Sequence, residues 1–196
     1  MAEHERVEVK SVAALRQWLQ EHHQQSESIW LVTWKKHRPE HHVSWDDIVR
    51  QALCFGWIDS QARKLDGDRK MQRLSPRKPG SHWSARNKKH LKDLEAEGLM
   101  MPAGQAVVDA AKADGSWTLL DDVEALVVPD DLAAALDSTP GARGHFEAFT
   151  ASNKKTILWW IKSAKRQATR QTRIEKTARL AGMGLRAQHP ESKGVL

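Results

Sequence analysis

Asp66-Gly67-Asp68 stands between two extended runs, WIDSQARKL (57–65) and RKMQRLS (69–75). An Asp-Gly pair in that setting is among the strongest short-range hairpin signals, because both residues tolerate the positive φ of a turn whose twist matches the flanking strands. The chain must therefore supply an antiparallel pair and something to cover it. Upstream, SIWLVTWKK (28–36) alternates Ile29, Leu31 and Thr33 with Trp30, Val32 and Trp34, which is strand periodicity in strand-forming residues. Ser11 precedes Val12, Leu15, Trp18 and Leu19 at helical spacing. Ser44-x-x-Asp47 opens a second helical stretch that carries Ile48, Ala52 and Phe55 and closes at Gly56.

From Ser84 onward the signals are helical. Ser84 caps a basic helix that stops at Gly98, and Pro102 starts another that ends before Gly115. Short helices follow over Pro129–Asp137 and Gly144–Phe149, and 117–129 reads as extended or loop. A long element runs from Ser152 to about Leu180, with a break near Gln167 left open. The expected fold class is α+β, with a small antiparallel sheet in the N-terminal half packed with helices and an all-helical C-terminal half. At 196 residues one domain is expected over 1–184, its sheet-containing part about 11–83 and its helical part about 84–184, with a loose start and a flexible tail over 185–196.

A hydrophobic content of 40% with nine tryptophans excludes a disordered chain. Mean hydropathy of −0.64, and no run approaching ~18 apolar residues, predict no membrane insertion. The first ten residues mix acids and bases without an apolar core, so a cytoplasmic location is expected. A single cysteine, Cys54, leaves no intramolecular disulfide and no multi-cysteine zinc site. Cys54 lies near a helix C-terminus, whose dipole raises a thiol pKa, so it reads as core. The histidines include the adjacent pairs His22-His23 and His41-His42 but no H-E-x-x-H, so neither a metal nor a cofactor is expected. No phosphate loop or nucleophile motif is present, and no catalytic residue is assigned.

Charge is distributed unevenly. Segment 61–92 holds eleven Lys/Arg against Asp66 and Asp68, and 154–179 holds nine against Glu175, whereas 93–151 holds twelve acids against Lys112 and Arg143. Nucleic-acid contacts are therefore expected from Arg63, Lys64, Arg69 and Lys70 on the hairpin. They are also expected from Arg77, Lys78, Trp83, Arg86, Lys88 and Lys89 in SPRKPGSHWSARNKKH (75–90), and from Trp159, Lys162, Arg166, Arg170 and Arg173 along the last helix. Cations, hydroxyls, a helix N-terminus and an indole make up the mixture that phosphates and bases require. The competing reading is structural: acids from 93–151 neutralise the cations, and the tryptophans pin loops to the core. A small-anion or enzymatic pocket is a further alternative, with Trp57, Asp59, Arg73, Ser81, Trp83 and Asn87 as its candidates and Arg73 as the partner of Asp59.

At ALCFGWIDS, PRKPGSHWSARN, GLMMPAG, ADGSW, VPDDLAAAL and WWIKSAKRQATRQTRI the sequence resembles the YdeI/OmpD-associated, bacteriocin-protection family, over about 15–185. Ser60 stands where that family often has Gly, and its usual tyrosines are tryptophan or absent here. The resemblance implies a YjbR/CyaY-like α+β fold, with DNA binding described for some members, and a stress-response role in bacteria. It implies no catalytic residue. The partner it leads one to expect is nucleic acid read with little sequence specificity, or alternatively a protein partner in bacteriocin or stress protection; the oligomeric state is not fixed by it.

Overall fold

A computed structural model of the chain describes residues 4–188. The chain divides into two compact units, one ending at Leu119 and one beginning at Leu120. The sequence reading draws its internal division at 83/84 instead. The later boundary arises because the two helices that follow the sheet bury their apolar stripes against the sheet-bearing core, which reaches as far as Ala111 and Trp117.

In the first unit, β1 (Arg6–Glu8), β2 (Ile29–Trp34), β3 (Trp57–Lys64) and β4 (Arg69–Pro76) form one sheet in the order β1-β2-β4-β3. The sheet is mixed, not purely antiparallel: β1, which the sequence reading left as a loose start, runs parallel to β2 with Val7 opposite Leu31. Helices α1 (Val12–His22), α2 (Trp45–Cys54), α3 (Ala85–Ala96) and α4 (Pro102–Ala113) complete the unit. Ser11, Ser44 and Ser84 each accept a hydrogen bond from the backbone N–H three residues on, which satisfies one of the four orphan donors at each helix start. Gly56 ends the second helix with φ +75°.

One sheet face presents Ile29, Leu31, Leu74 and Trp57 to Leu15, Leu19, Ile48 and Leu53 of α1 and α2. Burying each such side chain contributes roughly 1.5–3 kcal/mol relative to exposure. The opposite face carries a smaller cluster of Trp30, Val32 and Met71. Between β3 and β4 the register jumps from Asp59↔Leu74 to Ala62↔Gln72, so β3 holds one extra residue there. That bulge inverts the alternation of every later β3 residue.

The second unit is helical: α5 (Asp121–Glu124), α6 (Asp130–Asp137), α7 (Ala142–Ala148), α8 (Ala151–Lys162) and α9 (Gln167–Gly182). Within 117–129, read as extended or loop, lies α5. The long C-terminal element breaks at 163–166, with Arg166 in extended conformation ahead of α9. Leu132, Leu136, Phe146, Ile157, Ile161, Ile174 and Ala178 make its core. Ala187 is buried in that core too, and Leu185 packs on it, so these two residues, expected in a flexible tail, belong to the helical unit; the rest of that expected tail from 189 to 196, and residues 1–3, lie outside the described residues.

Candidate functional site

None of the nine tryptophans is exposed. Instead, cations lie over six of them. Arg63 sits 4.7 Å from the Trp30 ring centre, Arg77 3.6 Å from Trp83, Arg86 4.6 Å from Trp45, Lys88 5.1 Å from Trp117, Arg69 5.8 Å from Trp34 and Arg173 5.1 Å from Trp160. Much of the positive charge in 61–92 is therefore engaged with indole faces, a contact worth ~0.5–2 kcal/mol according to solvation.

Carboxylates take another share. Arg69 donates through Nε to Asp66 at 2.8 Å and through Nη1 to Glu8 at 2.7 Å, and the Asp66 carboxyl is held below its usual range by that Arg69 contact. Lys89 pairs with Asp93 at 2.8 Å. In the helical unit, Lys155 reaches Glu124 at 2.6 Å, Lys162 reaches Asp122 at 2.6 Å, and Arg170 grips Asp131 with two bonds of 2.7 and 2.8 Å. Arg173 donates to the Trp160 carbonyl and to Ser163 Oγ. The row Trp159–Lys162–Arg166–Arg170–Arg173 is thus split by the helix break, and Lys162 and Arg170 are neutralised by acids of 93–151 inside their own unit.

This neutralisation has a pH signature. The Arg170 guanidinium holds the Asp131 carboxyl below the usual carboxylate range. A depressed pKa stabilises the fold above the unfolded-state value and loses that contribution as pH falls through the folded one. The melting temperature should fall on acidification below about pH 4, and Asp131→Asn should flatten that fall; an unchanged profile in the variant would contradict it.

Subtracting these partners leaves a cationic region at the hairpin end of the sheet. Lys64 and Lys70 are directly opposite each other across β3 and β4. Lys70 lines an open hollow of about 410 Å³ together with Lys35, Lys36, His42, Ser44 and Trp45, and no carboxylate lines it. Lys35 Nζ spends two of its donors on the carbonyls of Asp66 and Gly67, both at 2.7 Å, and so fixes the turn. His37 and Arg38 neutralise Asp68 at 2.8 and 3.0 Å. Like charges facing each other across a strand pair are destabilising until an anion meets them. Sequence reasoning missed Lys35, Lys36, His42, Ser44 and Trp45, because it read Lys35 and Lys36 only as the end of a strand and Ser44 only as a helix start; the available signal was the Lys35-Lys36-His37 run directly after the strand residues.

The candidate pocket residues disperse. Asp59 accepts from Trp45 Nε1 at 2.8 Å and Gln72 Nε2 at 3.0 Å, while Arg73 lies on the other sheet face and donates to Ser28 Oγ at 3.2 Å. The expected Asp59–Arg73 pair does not form. Trp57 is core, its indole N–H donating to the His23 carbonyl at 3.1 Å, and Asn87 belongs to the Ser84 cap. Ser81 and Trp83 do line a cavity, beside Arg77 and with Lys78 exposed at its rim. Cys54 is buried, and burial pushes its thiol up. Among the described residues no group of His, Cys, Asp and Glu could hold a metal ion, and no helix is long and apolar enough to cross a membrane.

No curated protein and no solved structure matches the chain. Two family models do, and the YdeI/OmpD-associated one covers 125–184 of the expected 15–185. Neither names the YjbR/CyaY-like grouping. Across residues 7–107, just over half its length, the chain belongs to the family described as Domain of unknown function (DUF8412), and over 125–184 it carries the domain described as Bacteriocin-protection, YdeI or OmpD-Associated.

Proposed function

We propose that this protein is a non-enzymatic binding protein that contacts nucleic acid through phosphates at the hairpin end of its sheet. The observation that carries the reading is the hollow lined by Lys35, Lys36, Lys70, His42, Ser44 and Trp45 without a carboxylate, with Lys64 opposite Lys70. Ammonium groups and a hydroxyl are what phosphate oxygens accept from, and they carry little base information. The contact surface is narrower than the number of cations suggests, since Arg69, Lys89, Lys162 and Arg170 already hold carboxylates.

Binding of a short fluorescent duplex and of the matching single strand, titrated across salt, tests the reading. Lys64→Glu with Lys70→Glu should weaken duplex binding at least tenfold and lower the salt slope by roughly 1.8, at about 0.9 for each phosphate no longer neutralised. Arg170→Glu is a poor probe, because it sets two carboxylates together at Asp131. Failure of both oligonucleotides to bind at low salt sinks the proposal. Recovery of a stoichiometric protein after nuclease treatment, with neither oligonucleotide bound, would point instead to the protective role that the family description names, exercised through a protein partner.

A further inference from the structure

Three lysines line the hollow at the hairpin end, and they are not equivalent. Lys35 is half-buried and spends two of its three N–H donors on the carbonyls of Asp66 and Gly67, so its ammonium is fixed in place with one donor left. Lys70 is half-buried and Lys36 exposed, and neither ammonium has a partner among the described residues. Lys64, exposed and equally without a partner, stands opposite Lys70 on the same face of the strand pair. The nearby acids of the turn are turned elsewhere: His37 and Arg38 hold Asp68 at 2.8 and 3.0 Å, and Arg69 holds Asp66 at 2.7 Å.

The rest of the wall is held by contacts of its own. His42 Nδ1 donates to the Trp34 carbonyl at 2.8 Å, and Trp45 Nε1 donates to Asp59 at 2.8 Å. The hollow is thus preformed, and its free ammoniums repel one another until an anion meets them. An internal phosphodiester matches them poorly, since it carries one negative charge, offers two free oxygens and has a sugar on both sides. A phosphate monoester at the end of a strand carries about −1.5 to −2 at pH 7, offers three strong acceptor oxygens and has a sugar on one side only. Shape selects in the same direction. A hollow of about 410 Å³ has the size of a site that takes one small molecule, so it admits an end group and not the convex side of a duplex.

We propose that this hollow takes the terminal phosphate monoester of a nucleic-acid strand, its oxygens meeting Lys36, Lys70 and the remaining donor of Lys35, while Lys64 meets the adjoining backbone. The assignment rests on the nucleic-acid reading and narrows it: the protein holds a strand by its end, and internal phosphates contribute at the rim. Bonds from an ammonium to a phosphate oxygen are charge-assisted and so among the stronger hydrogen bonds available. The 5′ and 3′ monoesters present the same group to the lysines, and separate strands distinguish them.

The test titrates single strands of one sequence, labelled on an internal base, into the full chain at low and constant salt. One carries a 5′-phosphate, one a 3′-phosphate and one hydroxyls at both ends; a further hydroxyl-ended strand, one nucleotide longer, controls for added charge. At least one phosphorylated strand should bind about tenfold more tightly than the hydroxyl strand, and the longer strand should gain less than about twofold. Lys36→Gln with Lys70→Gln removes two ammoniums that have no partner in the fold, so the melting temperature should not fall, while the phosphorylated strand drops to the affinity of the hydroxyl strand. Lys64→Gln should weaken all strands in parallel and keep their ratio. The end assignment is overturned, with the nucleic-acid reading intact, if phosphorylated and hydroxyl strands bind alike, if the longer strand gains as much, or if the preference survives in the double variant. If no strand binds at low salt, both fall together.

Discussion

Trp83→Ala is expected to lower the stability of the sheet-bearing unit by about 4 kcal/mol, within the range for truncating a fully buried aromatic side chain. Trp83 is 1% exposed, packs 5.3 Å from the Trp117 ring and lies 3.6 Å from the Arg77 guanidinium. Its removal would enlarge a cavity that already exists and leave a buried cation facing empty space. Collapse is hindered because the loop is tethered at both sides, by Arg77 N–H to the Gly56 carbonyl at 2.9 Å and by Gly80 N–H to Asp114. Urea unfolding followed by circular dichroism checks this: the midpoint should fall with little change in slope. Trp83→Phe, which keeps a ring under Arg77, should lose clearly less. A loss under about 1 kcal/mol for alanine would mean that the ring is not an anchor of this core.

Gly104→Ala should also destabilise, by about 3 kcal/mol, at the upper end of overpacking costs. Inside a helix this exchange normally stabilises by up to about 1 kcal/mol, so the sign is diagnostic. A Cβ at Gly104 would lie 2.3 Å from the Cys54 carbonyl oxygen and 2.7 Å from both the Cys54 carbonyl carbon and the Leu53 oxygen. All three are backbone atoms and cannot rotate aside. Helix α4 would have to retreat from the end of α2, giving up the Met101 N–H bond to the Cys54 carbonyl at 3.2 Å. A fall in melting temperature of roughly 10 °C is expected, and a rise would overturn the close-packing account.

Local signals carried most of the fold. The serine caps at 11, 44 and 84, the glycine stops and the Asp-Gly hairpin are written within four or five residues each, and each element stands where those signals put it. What could not be read depends on partners distant in sequence. Strand β1 is Arg-Val-Glu, too short and too charged to show periodicity, and exists because Val7 can pair beside Leu31. The break at 163–166 has no glycine or proline to announce it. Cationic residues in 61–92 and 154–179 were visible as composition, but which of them is engaged by a ring or a carboxylate is a matter of tertiary placement. Ser81 and Trp83 line a cavity beside Arg77, not Arg73, since only the first follows the sheet into the loop.

The extra residue in β3 gives the hairpin an unusual kind of slack. Arg63 faces Trp30 and Lys64 faces Lys70 with one residue more on this strand than on its neighbour between Asp59 and Ala62. Losing one residue from that stretch would leave a single residue opposite Arg73 and an unbroken ladder, with Arg63 still opposite Met71 and Lys64 still opposite Lys70. Gaining one would force a wider bulge or turn both cations to the opposite faces. Among descendants of this chain, the stretch 59–62 can shorten by one and keep the chemical addresses of the hairpin, but it cannot lengthen freely.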